Sequence, residues 1–288
     1  RVTDRGEGKT LVKPTFTENL RFFFTYQIGH MYMRYFMWNF VGRQNDIQGH
    51  GSFLKGNWIS GIKFLDDERV GPQENIPEFM KNEPSQNTYY FLPLLFGLIG
   101  LFFQYNNGKK GKAGFVVTSL LFVFTGIAIV VYLNQYPLQP RERDYAYTGS
   151  FYAFAIWIGL AVPALYSAIQ KILKGVPGAV FVTLASLVLV PGILAFENHD
   201  DHNRSKRYMT RDYAINYLES CAPNALLFTY GDNDTFPLWY VQEVEGIRPD
   251  IRIINLSYLG MDWYISQHKI AANDAAPAPF SFENEQYY

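Results

Sequence analysis

Long apolar runs dominate the middle of this chain. Four of them follow one another with polar stretches between, and each approaches the roughly 20 residues that a helix needs to cross the hydrocarbon core of a bilayer. They are Tyr89–Tyr105, Ala113–Leu133, Phe151–Ile169 and Gly178–Phe196. The core of a soluble domain explains one such run, but four in succession predict a membrane region of about four transmembrane helices at 89–196.

An aromatic segment around 16–41 precedes the apolar runs. Thr15 and Glu18 fit a capping box, in which both side chains satisfy backbone donors at a helix start. The segment is dense in Phe, Tyr, Met and Trp, but it also contains Arg21, His30 and Arg34. Aromatic rings with polar handles favour the headgroup level of a membrane. We therefore predict an interfacial helix, and the alternative is a spanning helix whose polar groups face the protein interior.

The stretch 41–88 is polar, with recurring glycine and proline and no sustained helical or strand period. A connection of this length without regular structure is usually functional or disordered. We expect 1–88 to form a polar external segment that contains the interfacial helix.

The chain changes character after Phe196. The pattern predicts a helix at Tyr208–Ser220 and buried strands at Ala225–Tyr230 and Ile251–Tyr258. Between the strands we expect a helix that is capped by Asp234 or Thr235 and ends at Glu245. Strand, helix and strand make a βαβ unit, which favours a parallel sheet. Residues 197–288 are thus expected to begin a soluble external α/β domain, incomplete in this chain.

The lysines predict the orientation of the membrane region. They are Lys109, Lys110 and Lys112 before the second apolar run, and Lys171 and Lys174 between the third and fourth runs. The positive-inside rule places both groups on the cytoplasmic side. The loop 134–150, the segment 41–88 and everything after Phe196 are then expected on the external face.

Charge and cysteine content exclude some classes of protein. The 288 residues carry a formal net charge of −1, which gives no electrostatic support to a nucleic-acid partner. A single cysteine, Cys221, excludes an intrachain disulfide framework and a cysteine-rich zinc site. The chain opens on Arg1 without an initiator Met and stops at Tyr288 in polar sequence, so we expect it to be a fragment of a longer protein.

A charged tetrapeptide, Arg141-Glu142-Arg143-Asp144, lies between the second and third apolar runs. Charges this close to spanning segments lose hydration, so they are expected to pair with each other or with a bound group. Arg141 and Arg143 are suited to bind a phosphate. Glu142 and Asp144 would orient them, hold a metal or move a proton. The alternatives are a salt-bridge cluster that ties two helices together and ordinary helix-end charges.

Two further patterns are weak candidates for a divalent metal, the one cofactor that the sequence suggests. Asp232 and Asp234 follow a predicted parallel strand, where open α/β sheets bind ligands. Local hydrogen bonding in a turn or helix cap explains them better. His199 and His202 would share a helix face and could ligate a metal with a carboxylate. A solvated helix start beside the membrane explains these histidines better.

A polar cluster directly after the aromatic segment is a secondary candidate for substrate binding. It consists of Arg43, Gln44, Asn45 and Asp46. Such side chains can bind a carbohydrate through hydrogen bonds, or they can form a polar turn.

Several strings resemble a bacterial family of multi-pass membrane proteins that is classed with the GT-C glycosyltransferases and called protein O-mannosyltransferase-like. They are RYFMWNF at 34–40, GRQND at 42–46, QPRERDY at 139–145, YGDNDTFPLW at 230–239 and NLS at 255–257. The resemblance extends over nearly the whole chain.

The resemblance implies an enzyme of the bacterial inner membrane with its C-terminal domain in the periplasm. Such an enzyme moves a sugar from a lipid-linked donor to an envelope protein or glycan acceptor, among membrane lipids and without nucleic acid. Its catalytic acid would lie upstream of this chain, so the catalytic residue is unknown. The donor phosphate would then be the partner of the charged tetrapeptide. A membrane-anchored sensing module, with the α/β domain as receptor, and a transporter fragment remain alternatives.

Overall fold

The structure, a computed structural model, describes residues 13–81, 83–138, 141–283 and 286, and the backbone of 2–3 and 10–11. Gln139 and Pro140, which open the string 139–145, lie outside the described residues. The chain divides into two compact units, Arg1–His202 and Asn203–Tyr288. They are called here the membrane unit and the α/β unit.

The membrane unit is mainly helical. Its helices are α1 at 16–40, α2 at Lys63–Val70, α3 at Leu92–Asn106, α4 at Gly108–Leu133, α5 at Asp144–Ile169 and α6 at Gly175–Glu197, with single turns at Gln73–Asn75, Glu78–Lys81 and His199–His202. Among its described residues, the strands form two antiparallel pairs, β1 (Val2–Thr3) with β2 (Thr10–Leu11) and β3 (Gly42–Arg43) with β4 (Asn87–Thr88). Helices α4, α5 and α6 are long and apolar enough to cross a membrane, and α3 is a shorter apolar helix. The predicted fold class is confirmed.

Helix α1 begins at the predicted capping box. The Thr15 hydroxyl accepts the Glu18 N–H at 3.3 Å, and the Glu18 carboxylate accepts the Thr15 N–H at 2.7 Å. The second half of α1 is buried in protein, with Tyr32 and Tyr35 at most 1% exposed. These rings pack in one aromatic core with side chains of α5, such as Phe154. The location of α1 at a membrane interface stays a prediction.

Two glycines allow α3 and α5 to pack closely. A Cβ added at Gly100 would lie 1.7 Å from the carbonyl oxygen of Trp157, and one at Gly97 would lie 2.2 Å from the ring of Phe154. Small residues let helix backbones approach within a membrane. Gly97 meets Phe154 and Gly100 meets Trp157, so residue numbers rise together along both helices. Helices α3 and α5 therefore run parallel. The turn after α3 and the turn 170–174 after α5 therefore lie at the same end of the helices, and both lysine groups lie there.

The polar connections contain more regular structure than the sequence indicated. Lys109, Lys110 and Lys112 lie in the first turns of α4, because Gly108 (φ +65°) reverses the chain directly before them. The segment 41–88 also has regular structure, namely β3, α2, two helical turns and β4. The carboxylate of Asp66, which is 4% exposed, organises part of it by accepting the Ser60 N–H at 2.9 Å.

The α/β unit contains the predicted βαβ arrangement. Its elements are α7 (Met209–Glu219), β5 (Leu226–Thr229), α8 (Asp232–Glu243), β6 (Arg252–Asn255), a single turn at Leu256–Tyr258 and α9 (Asp262–His268). Strands β5 and β6 pair in parallel, with Leu226 opposite Arg252. Helices α7 and α8 pack over them through a core that includes Leu218 and Leu238.

The expected cap of the second helix in this unit is wrong. Helix α8 begins at Asp232, and Gly231, with φ at +88°, holds the N-cap position. Thr235, which is fully buried, instead donates its hydroxyl hydrogen bond to the Gly231 carbonyl at 2.7 Å. Both predicted cap residues, Asp234 and Thr235, therefore lie inside the helix, which starts earlier than the capping pattern predicted.

Candidate functional site

A cavity of about 800 Å³ lies at the end of the membrane unit opposite the lysines. The end of α1, the start of α5 and the end of α6 form its walls. It is lined by Trp38, Asn39, Phe40, Arg43, Tyr89, Asp144, Tyr145, Thr148, Phe151, Tyr152, Ala155, Leu194, Ala195, Asn198, His199 and His202. A cavity of this size is within the range of small-molecule sites.

The cavity brings together four residues that the sequence identified in separate patterns. Arg43 comes from the polar cluster, Asp144 from the charged tetrapeptide, and His199 and His202 from the turn after α6. The sequence separates them by up to about 160 residues, and only the packing of the helices places them around one space. Their side chains give this cavity a polar, partly cationic wall.

Arg43 is held in place on several sides. Its guanidinium forms a partly buried ion pair with Asp201 and donates to the carbonyl oxygen of Ser85 at 2.8 Å. It also lies 5.7 Å from the centre of the Trp38 ring, within cation–π range. These contacts fix the guanidinium at the wall of the cavity, where Asp201 balances its charge.

The remaining wall of the cavity is apolar and aromatic. Phe151, Tyr152 and Ala155 lie within about one turn of α5, and Leu194 faces them from α6. Tyr152 is 68% exposed, so its ring is available to a ligand. The cavity is therefore amphipathic, with charges on one side and membrane-helix side chains on the other.

Hydrogen bonds join the helix ends around the cavity. The Tyr89 hydroxyl donates to the Asn198 side chain at 3.0 Å, and the Thr88 N–H donates to the Glu197 carboxylate at 2.9 Å. These contacts connect the segment before α3 to the end of α6. They hold the polar wall together without using Asp144 or His199.

The charged tetrapeptide is divided between two roles. Glu142 accepts two hydrogen bonds from the Arg34 guanidinium, at 2.8 and 3.2 Å, and a third from the Tyr35 hydroxyl. Burial favours a raised pKa for this carboxyl, but Arg34 and Tyr35 outweigh it and lower the pKa below its ordinary value. Glu142 therefore stays ionised and ties its loop to α1, whereas its neighbour Asp144 lines the cavity.

The two arginines of the tetrapeptide differ in environment. Arg141 is exposed. Arg143 is half-buried, and its backbone N–H donates to the Tyr35 hydroxyl at 3.2 Å. The Nε of its guanidinium is buried and has no hydrogen-bond partner among the described residues. A buried guanidinium nitrogen without a partner is costly and is compatible with an additional acceptor.

The other members of the polar cluster lie in the protein rather than in the cavity. Gln44 donates to the carbonyl of Phe53 at 3.1 Å, and Asn45 accepts the N–H of Gly56 at 2.8 Å. Both are at most 1% exposed, and they fix the loop between them. Asp46 is exposed.

The weak metal candidates are not assembled into a multi-ligand group. Asp232 and Asp234 are exposed in the first turn of α8. His202 contacts the carboxylate of Asp201, which also binds Arg43. Within the described part of the chain, no group of three or more His, Cys, Asp or Glu side chains is placed to hold a metal ion.

Sequence reasoning missed several residues of this end of the molecule. Arg34 was identified only as an ionisable residue in an aromatic stretch, Tyr89 only as the start of an apolar run, and Asn198 was not identified. One signal was available, because polar residues at the ends of apolar runs lie where helices meet the membrane surface. That signal does not indicate which side chains Arg34, Tyr89 and Asn198 contact.

The fold and the cavity define a multi-pass helical membrane protein with an attached α/β unit. The family model described as TMEM260-associated domain 2 matches residues 210–288. The protein O-mannosyl-transferase tmem260 of Dictyostelium discoideum is 24% identical over 209 residues, which cover 65% of this chain and 25% of that relative. The chain thus spans about a quarter of the relative's length. No solved structure matches the chain.

These matches confirm the predicted resemblance to the protein O-mannosyltransferase-like family. The relative is a eukaryotic protein, from Dictyostelium discoideum. The bacterial inner membrane and the periplasmic side of the α/β unit therefore stay predictions.

Proposed function

We propose that this chain is part of a membrane glycosyltransferase and that the cavity of the membrane unit binds a lipid-linked sugar donor. The observation that carries the proposal is the amphipathic lining, with Arg43 and His199 on one side and Tyr152 and Leu194 on the other. A lipid phosphate needs cationic donors beside an apolar path, and this cavity supplies both. The similarity to a protein O-mannosyl-transferase supports the proposal and makes mannose the first sugar to test.

In this proposal the chain's own residues bind and orient the donor. Arg43 and His199 face the phosphate, and Arg143, beside the cavity residue Asp144, supplies a further guanidinium. The rings of Tyr145 and Tyr152 cover the sugar or the first units of the lipid. The acceptor is an envelope protein or glycan on the external face, and the catalytic acid lies upstream of this chain.

The experiment uses the full-length protein in membranes with a synthetic polyprenyl-phosphate mannose donor. His199→Ala should raise the KM for the donor, and Arg143→Ala should abolish transfer, while both proteins insert normally. Lys81→Ala is the control because Lys81 is exposed and does not line the cavity. If both cavity-side variants transferred sugar as the control does, the proposed donor site would be wrong.

A further inference from the structure

A second cavity, of about 780 Å³, lies entirely within the α/β unit. Helix α8, strand β6 and helix α9 form its walls, together with the chain around Ala272–Ala275. The donor site proposed above uses none of these residues. The family model that matches 210–288 includes all of them.

Several aromatic rings line this cavity. Phe236 and Trp239 come from α8, 5.5 Å apart between ring centres, and Trp263 and Tyr264 come from α9, 5.6 Å apart. Trp263 is 54% exposed and Phe236 is 46% exposed. Exposed rings at the mouth of a cavity provide flat apolar faces at little entropic cost.

A buried histidine faces the same space. His268 lines the cavity, is 8% exposed, and has no described hydrogen-bond partner for its Nδ1. Its ring lies 4.5 Å from that of Tyr264. Burial and the charge of Arg252 lower the pKa of His268, so the ring is neutral near pH 7. A neutral imidazole both donates and accepts hydrogen bonds, as a hydroxyl group requires.

The charged residues of the lining already form hydrogen bonds within the protein. The Arg252 guanidinium donates to the carbonyl oxygens of Ile270 at 2.7 Å and Ala276 at 2.9 Å. Glu243 accepts from the Asn273 amide at 2.7 Å. Because Arg252 is directed at backbone carbonyls, the cavity is poorly suited to a phosphate or carboxylate. A neutral ligand rich in hydroxyl groups fits it better.

We propose that this cavity binds a neutral saccharide. Rings of Trp263 and Trp239 stack on the apolar faces of the sugar, and His268, Gln267 and Asn273 hydrogen-bond its hydroxyls. This inference is independent of the donor site proposed above, because it concerns binding in the α/β unit and no transfer step.

The experiment measures tryptophan fluorescence of the full-length protein in lipid nanodiscs. Alkyl maltoside detergents are avoided because their sugar headgroup would compete. The probes are neutral trisaccharides of glucose, mannose and N-acetylglucosamine, with glucose 6-phosphate and an apolar decapeptide as comparisons. At least one trisaccharide should bind saturably. Trp263→Ala should weaken that binding about tenfold, and Gln267→Ala should weaken it as well.

Tyr230→Ala is the matched control, since Tyr230 is a 74% exposed aromatic residue of the same unit outside the cavity. It should bind the trisaccharide as the wild type does. Three results would overturn the inference: no saturable trisaccharide binding, equal affinity in the Trp263→Ala and Tyr230→Ala proteins, or binding of the peptide alone. The readout does not depend on transfer, so an inactive donor site would leave it unchanged.

Discussion

Arg34 and Glu142, 108 residues apart in the chain, form a two-point ion pair at 2.8 and 3.2 Å. Their side chains are 7% and 15% exposed, so the pair is shielded from water. It joins the aromatic helix α1 to the loop that enters α5, two residues before the cavity residue Asp144. We therefore expect the loss of this pair both to destabilise the membrane unit and to displace Asp144.

Removing one partner of this pair should be strongly destabilising. Glu142→Ala leaves the Arg34 guanidinium buried without its carboxylate, which typically costs about 3–5 kcal/mol. Thermal unfolding of the purified protein measures the loss. Glu74→Ala is the control, because the Lys63–Glu74 pair is exposed and should contribute little.

The double variant Arg34→Met with Glu142→Leu tests whether the loss comes from the unpaired charge. Two apolar side chains remove both charges, so the double variant should be more stable than Glu142→Ala. Equal destabilisation of both proteins would show that shape at this position matters more than charge.

The same carboxylate predicts an acid dependence of stability. Arg34 and Tyr35 hold the pKa of Glu142 below its ordinary value of 4.5. The stabilisation is therefore present above pH 4.5 and is lost as the pH falls through the lower pKa of the folded state. Melting temperatures measured between neutral pH and pH 3 should fall less steeply for Glu142→Gln than for the wild type. Parallel curves would contradict this assignment.

Glycine at position 100 should be required for the packing of α3 on α5. In Gly100→Ala the new Cβ would meet the Trp157 carbonyl at 1.7 Å, so the helices must separate. Overpacking of this kind typically costs about 1–3 kcal/mol. Gly159→Ala in α5 is the matched control, because a Cβ there meets no atom within 4 Å. Its melting temperature should equal or slightly exceed that of the wild type.

A buried hydroxyl pair should stabilise the start of α8. The Thr235 and Thr229 hydroxyls lie 2.8 Å apart, and Thr235 is fully buried. Thr235→Val keeps the shape but leaves the Thr229 hydroxyl without this partner, at a typical cost of about 1–3 kcal/mol. Denaturant unfolding, monitored in the α/β unit by hydrogen exchange, measures the effect. Asp234→Asn in the same turn should change stability much less, because Asp234 is exposed.

A metal titration tests Asp232 and Asp234 directly. Both are exposed in one helical turn, and no third ligand of the His, Cys, Asp or Glu type joins them among the residues that the structure describes. Mn²⁺ should therefore leave the melting temperature of the α/β unit unchanged. A rise that disappears in the Asp232→Asn, Asp234→Asn variant would establish a metal site here.

The sequence by itself determined many elements of this protein, but not the strands and helices of segment 41–88. Apolar runs, the Thr15–Glu18 capping box and the strand–helix–strand pattern depend on the local order of residues, and each appears where its residues predict it, apart from the ends of a few elements. The exceptions were local as well. The start of α8 depends on Gly231, and the helical lysines depend on the turn at Gly108.

Only the tertiary structure decided how the candidate residues combine. Nothing in the local order of residues indicates that Glu142 pairs with Arg34 or that Arg43 and His199 line one cavity with Asp144. Those contacts depend on how the helices pack together, and Gly97 and Gly100 allow one such approach, that of α3 to α5. The packing decides which side chains meet across 100 or more residues. The pattern of residues along the chain does not specify that packing.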